Sequence, residues 1–321
     1  MNAASYISRR LLSGMLLLAG VSILSFCLSS FVPGSYFDEM RLNPQVSAET
    51  LAQLRSQYGI DRPLVDRYFH WLSSSVQGDF GLSIAYNMPV SALIWNRCRN
   101  TLLLAATSTL LIWIIAVPLG IAAAARRGWV DHAVSAGSSF LLSIPELGII
   151  LVLLAFAVST GRMPVGGMTI PTESLGLWSQ AKNLALRMAI PTLALTLVGL
   201  PIVLQHTRTA IKEVLEAPFI KAAQGHGIGF LRVLLRHVLP AAANPLISLL
   251  GLSIAGLIGS SLLAEVVTGW PGLGPLFVQS IFARDFYVVI AIVMLSSSFL
   301  VMGNVLGDVL LCVSDPRIRT E

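Results

Sequence analysis

A chain of 321 residues that is 55% apolar and only 12% charged, with a mean hydropathy of +0.77, is too apolar for an ordinary soluble fold. Its formal net charge of +5 does not point to nucleic acid, because the basic residues flank apolar runs instead of interleaving with aromatics. These bounds leave an all-α polytopic membrane protein embedded in the lipid bilayer.

The first uncharged run, 11–31, follows Arg9 and Arg10. A signal peptide core is roughly 7 to 15 residues and ends in a small-residue cleavage site; this run is longer and has no such site, so it is expected to stay as a membrane helix. Residues 32–99 are expected to form a small helical extracytoplasmic subdomain. Within it "ETLAQLRSQYGI" places Leu51, Leu54 and Tyr58 at helical spacing, while "GIDRPL" and "QGDFGLS" read as breaks between short helices.

Runs at 101–125, 133–158, 188–207, 239–264 and 286–307 bring the expected spans to six, each able to cross about 30 Å of hydrocarbon. The second of these is interrupted by Glu146, directly after Pro145. An ionised carboxylate inside a span costs roughly 2.5–3.5 kcal/mol on insertion scales, so Glu146 is expected to face the bundle interior. Two readings stay open. Either it is protonated and bonded to a neighbouring Ser or to a carbonyl freed by Pro145, or it lines a path for a cationic or amine-bearing solute.

With the N-terminus inside, Arg126, Arg127, Arg208, Lys212, Arg232, Arg236, Arg317 and Arg319 all fall on the cytoplasmic side, as the positive-inside rule requires. The short external loops keep Arg162, Lys182, Arg187 and Arg284, and both termini are expected in the cytoplasm. The resulting division is 1–31 (N-terminal end and first span), 32–99, 100–313 (permeation core, with a cytoplasmic loop at 208–238) and a tail at 314–321.

That loop carries "FIKAAQGHGIGFLRVLLRHVLP" at 219–240. Ile211, Val214 and Leu215 form a short amphipathic face that Pro218 ends, and residues 219–224 suffice for under two helical turns. Gly225, Gly227 and Gly229 then permit a sharp reversal. A further helix is expected from Phe230 into the fifth span. Read from composition alone, the segment fits better as an interfacial helix anchored by basic residues.

Catalytic and metal chemistry find little support. Cys27, Cys98 and Cys312 are isolated, and His70, His132, His206, His226 and His237 form no ligand pattern. The three lysines, Lys182, Lys212 and Lys221, do not follow glycine, so a phosphate loop of the G-x-x-x-x-G-K-[ST] type is excluded. No nucleophile elbow or carboxylate pair is present. The chain is therefore expected to be no enzyme and to bind no cofactor itself.

The loop resembles that of the permeases of ATP-binding-cassette importers, whose pattern is Glu-Ala-Ala, three residues, Gly, nine residues, Ile-x-Leu-Pro. Here Lys221, Ala222 and Ala223 precede Gly227, and His237, Val238, Leu239 and Pro240 come after it at the same spacing. Lys221 replaces the Glu and His237 the Ile. "SRRLL", "YGIDRPLVDRYFHWL", "GDFGLS", "NTLLL", "EVVTGWPGLGPL", "RDFYVV" and "DPRIR" resemble the dipeptide, oligopeptide and nickel branch, specifically the paralogue with a long first external loop. Arg99 and Glu146 depart from it, standing where a Pro and an aromatic are usual.

The resemblance implies the six-helix type I importer fold and a set of partners: a homologous second permease, two cytoplasmic ATPases that hold ATP and Mg, and an extracytoplasmic substrate-binding protein. Residues 219–226 would form a coupling helix seated on the ATPase. In that reading Phe219 and Ile220 are apolar anchors, Ala222 and Ala223 permit close seating, and Glu213 and Lys221 are rim charges. Gly225 and Gly227 make the bend, and Leu239 and Pro240 close the motif. Glu265, Trp270, Pro271 and Gly272 would lie at the external gate. The implied cargo is a di- or oligopeptide; alternatives are a nickel chelate, glutathione, or a gradient-driven transporter with Glu146 as its proton carrier.

Overall fold

A computed structural model describes residues 3–31, 49, 63–126, 128–161, 163–164, 166 and 176–314. Its elements are α1 (Ala3–Phe31), α2 (Leu64–Val76), a hairpin of β1 (Leu82–Ser83) and β2 (Met88–Pro89), α3 (Val90–Ala125), α4 (Trp129–Ser143), α5 (Glu146–Thr160), α6 (Leu177–Glu216), α7 (Pro218–Gly225), α8 (Phe230–Val233), α9 (Ala243–Thr268), α10 (Leu273–Phe282) and α11 (Phe286–Ser314). Between α8 and α9 run a π-helical turn, Leu234–Val238, and a short helical turn, Leu239–Ala241.

Helices dominate because a chain in hydrocarbon must satisfy its backbone polar groups internally. Helices α1, α3, α6 and α11 contain unbroken stretches long and apolar enough to cross a membrane. Counting each bent pair as one span (α4 with α5, Phe230–Ala241 with the start of α9, and the end of α9 with α10) gives up to seven among the described residues, against the six expected. The expected third span is not one helix, however. Ile144 is extended (φ −88°, ψ 125°) and Pro145 comes next at φ −56°, ψ 141°, so that α4 and α5 meet at 94°. Pro145 lacks an N–H and drives the residue before it out of the helical region. Pro118, Pro191 and Pro201, by contrast, sit inside continuous helices.

The chain divides into two compact units. In the first (Met1–Leu12, Thr101–Trp270 and Phe299–Glu321), α6 packs against α4, α5 and α9. Leu104, Ile112, Ile150, Leu195, Leu204 and Trp270 are among its buried core residues. Small residues set the closest approaches, as is usual where lipid supplies no hydrophobic drive between helices. Thus Gly120 lies against Thr207, and Gly251 of α9 lies against Gly307 of α11.

In the second unit (Ser13–Asn100 and Pro271–Ser298), Phe26, Trp71 and Ile290 form the buried centre. The Phe26 ring meets Tyr68 edge-on at 5.5 Å, and the Tyr68 hydroxyl lies 2.9 Å from Ser22 Oγ. The expected helix at 49–60 lies, apart from Glu49, outside the described residues, as does the tail at 315–321. "QGDFGLS" does end a helix, α2, but it leads into the hairpin, with Leu82 opposite Pro89 and Ser83 opposite Met88. Gly78 and Gly81 take φ of +83° and +93°, and the Asp79 carboxylate accepts the Gly81 N–H at 2.9 Å, which favours a turn over another helix.

The Gly251 contact is directly testable. A Cβ there would lie 2.9 Å from Gly307 Cα and 3.0 Å from the Gly303 carbonyl oxygen, both backbone atoms. Gly251→Ala is expected to cost about 1–3 kcal/mol, seen as a lower melting temperature of the purified protein. Gly256→Ala on the same helix meets nothing within 4 Å and is expected to leave that temperature unchanged or raise it.

Candidate functional site: the helix-stop segment at 217–242

The segment begins as a continuation of α6 past the apolar run. Arg208 Nε donates to Asp131 Oδ1 of α4, an ion pair that ties the two helices together where α6 leaves the span. Ile211 is fully buried one turn later. The chain then turns at Ala217 (φ −64°, ψ 143°), and Pro218 takes the first helical position of α7, where its missing N–H costs nothing and its fixed φ suits the helix.

The end of α7 explains the spacing of the Lys-Ala-Ala…Gly pattern. Gly227 N–H donates to the Gln224 carbonyl at 2.9 Å and Ile228 N–H to the Ala223 carbonyl at 3.4 Å, the paired bonds of a Schellman stop. The stop requires a left-handed residue at Gly227, whose φ is +78°. Only Gly adopts this without penalty. Of the three glycines expected to reverse the chain, Gly227 alone does so in this way: Gly225 is the last residue of α7, and Gly229 is extended (φ −59°, ψ 143°).

Beneath α7 lies a hydrophobic cluster made of Ile220, Ile211, Val233, Leu234, Val238 and Ala242 with Ala124 and Ala210. It joins α7 at once to α6, to α3 and to the segment leading into α9. Ile220 is completely buried there, which corrects its assignment as a docking anchor, since a side chain committed to its own core cannot fill a partner's pocket. Phe219 is 53% exposed. Glu213, Lys221 and Ala222 are also exposed, and Ala223 is half-buried. The outward face of α7 is therefore Phe219, Lys221 and Ala222.

Past α8 the helix widens into the π turn, with Leu239 N–H bonded to the Leu234 carbonyl. Pro240 provides the cause: in a regular α-helix its ring would clash with the carbonyl four residues back, and a π turn relieves this. Leu239 is half-buried and Pro240 exposed.

The remaining expected positions lie elsewhere. Glu146 is half-buried at the first position of α5, after exposed Pro145, where a helix N-terminus favours negative charge. No hydrogen-bond partner reaches its Oε1 among the described residues. Glu265 and Trp270 are buried. The Trp270 N–H donates to the Glu265 carbonyl at 2.9 Å across the left-handed Gly269 (φ 70°). Gly272 is buried and Pro271 half-buried, and the Pro271 carbonyl accepts Asn100 Nδ2 at 2.8 Å. These side chains build turns and present little surface.

Sequence reading missed one polar centre altogether. Fully buried Asp285 accepts Ser83 Oγ at 2.6 Å and the Ala85 N–H at 3.1 Å. It thus joins the "GDFGLS" and "RDFYVV" motifs, whose bonded side chains stand 202 residues apart. Tyr86 Oη reinforces the same junction by donating to Gln279 Oε1 at 3.0 Å.

The family described as "Binding-protein-dependent transport system inner membrane component" matches residues 116–320, and its N-terminal counterpart matches 3–105. The chain belongs to this family. This membrane component is 36% identical over 98% of its length to the oligopeptide transport system permease protein AppB of Bacillus subtilis, covering 99% of that protein. It is 32% identical, over 98% of its length and 99% of the other, to the glutathione transport system permease protein GsiC of Escherichia coli K12. A chain from the inward-facing MetNI methionine ABC transporter shares the fold: TM-score 0.55 at 20% identity, covering 70% of this chain and 96% of that one. The family component is thus the membrane permease of an importer, with a helical fold of the type expected.

Removing the Asp285 carboxylate takes the acceptor from the Ser83 O–H and the Ala85 N–H, although Ser83 Oγ still accepts the Tyr86 N–H at 3.0 Å. Asp285→Ala is expected to destabilise the protein by about 2–4 kcal/mol and to expose the hairpin to limited proteolysis, whereas Asp285→Asn, which keeps an acceptor, loses less. Equal cleavage of wild type and Asp285→Ala would show that the junction contributes little.

Proposed function

We propose that this chain is one of two homologous permease subunits of an ATP-driven importer that carries di- or oligopeptides across the cytoplasmic membrane. A substrate-binding protein would deliver the cargo outside. Two cytoplasmic ATPases would bind ATP and Mg and seat on α7. The observation that carries this reading is the construction of α7: a helix stopped by Gly227, pinned inward by Ile220, with Phe219, Lys221 and Ala222 left facing out.

The pinning matters for mechanism. Because Ile220, Ile211, Val233 and Val238 share one cluster, a displacement of α7 is passed to α6 and, through the π turn, to α9. Closure of the ATPases on ATP would draw the α7 helices of the two permeases together and turn the pair outward. Such coupling needs the ATPases to bind one permease state better than the other. Cytoplasmic termini are supported by the basic residues at the span ends and by Arg10 Nε, 3.1 Å from Asp308 Oδ2, which brings the start of α1 to the far part of α11.

Peptide cargo is supported by the relatives. Besides the oligopeptide permease, a putative peptide permease protein of Brucella suis is 32% identical over 98% of both chains, and glutathione is itself a small peptide.

Crosslinking through Ala222→Cys in native membranes, followed by mass spectrometry, is expected to recover a cassette ATPase and a second permease. Phe219→Ala is expected to weaken ATPase capture roughly 30-fold, the effect of losing an anchor worth about 2 kcal/mol. Gly227→Pro cannot adopt the required φ and loses the bond to Gln224, so ATP-driven uptake is expected to vanish while membrane insertion persists; normal uptake would remove the segment from its role. Uptake that survived ATP depletion but collapsed with the proton gradient would shift the driving force to Glu146.

A further inference from the structure

The segment after the glycine stop has a second outward face that the coupling reading does not use. Phe230–Ala241 meets the first half of α9 at 58°, so this segment departs from the axis of the helix it leads into. Its buried side, Val233, Leu234 and Val238, belongs to the cluster under α7. Its other side exposes Leu231 by 67% and Leu235 by 58%, four residues apart and on one stripe. Arg232 and Arg236 form the adjacent stripe, both exposed. Together with Gly229 and Phe230 these four residues line an open groove of about 750 Å³.

Neither arginine meets an acidic side chain among the described residues. Two unpaired guanidiniums beside two exposed leucines make a poor water-facing surface but match a lipid interface, where apolar groups enter the acyl boundary and long basic side chains reach back to the headgroups. The charge fits an anionic headgroup, and a guanidinium binds phosphate oxygens in a forked geometry. Arg232 and Arg236, four residues apart, both line this groove.

We infer that the groove at 229–236 binds the phosphate headgroup of an anionic phospholipid of the cytoplasmic leaflet, through Arg232 and Arg236, with Leu231 and Leu235 against its acyl chains. Lipid held there would brace the segment that links α7 to α9. The inference rests on the cytoplasmic placement proposed above. Its test is separable from that reading, because nanodisc lipid reaches both faces while coupling is read only by ATP-driven uptake.

The full chain, assembled with its partner subunits, would be reconstituted in nanodiscs of mixed phosphatidylcholine and phosphatidylglycerol, and the lipids it retains on release would be identified by native mass spectrometry. Wild type is expected to enrich phosphatidylglycerol. Arg232→Gln or Arg236→Gln should each lower that enrichment about fivefold, and the double variant should lower it further than either single change, with an unchanged melting temperature in detergent because both side chains are exposed. Equal enrichment in wild type and double variant would overturn the assignment. So would loss of the ATPase subunits from the double variant with lipid enrichment intact, which would give this face to the ATPase instead.

Discussion

The helix-stop segment at 217–242 depends on the burial of Ile220. An isolated helix of eight residues is well below the roughly 12 to 15 at which helices become marginally stable in water, so α7 has almost no stability of its own. Full burial of one isoleucine is worth about 1.5–3 kcal/mol, and the Gly227 stop holds the last turn closed. Sequestering Ile220 against Ile211, Val233 and Val238 therefore both folds α7 and joins it to its neighbours. The same contact leaves Phe219 pointing away from the cluster, because adjacent residues on a helix lie about 100° apart.

A second constraint, backbone satisfaction, governs how the spans bend. Where a proline stands inside a membrane helix, the freed carbonyl must find a partner or the helix must break or widen. The chain shows all three outcomes. Pro118, Pro191 and Pro201 are absorbed within helices, Pro145 breaks one, and Pro240 stands just after a π turn. Buried hydroxyls are likewise satisfied within their own helix: Thr207 Oγ1 donates to the Val203 carbonyl at 2.8 Å, and Thr196 Oγ1 to the Thr192 carbonyl at 2.7 Å.

The spans and the glycine stop were legible in the sequence because each depends on local chemistry. An apolar run of sufficient length is a helix in lipid whatever surrounds it, and a glycine six residues after lysine in an Ala-rich turn is a helix end. The right angle at Pro145 was not, since the flanking residues are as apolar as those of a straight helix and nearby Glu146 drew attention to charge instead of geometry. Nor was the direction of Ile220: a helix of two turns gives too few repeats to fix a face, and Phe219 and Ile220 read alike as apolar. The Asp285 junction was beyond reach for a different reason. Its partners are a hydroxyl and a backbone N–H at the far end of the numbering, and two-residue strands carry no alternation to reveal the hairpin that supplies them.

These features bear on how a movement of α7 can reach α9. A transmitted movement needs a stiff path, and loops of ordinary length dissipate displacement as local rearrangement. Here the path from α7 to α9 contains no long loop. It runs through a Schellman stop, one extended residue at Gly229, a four-residue helix and a π turn, with one side of that path packed into a single apolar cluster. The π turn is the one place where helical hydrogen bonds are spaced more widely, so it is where a change of pitch costs least. A motion of α7 would accordingly appear as rotation of the 230–241 segment about the π turn, with Ile220 and Val238 kept in contact, and not as melting of the helix stop.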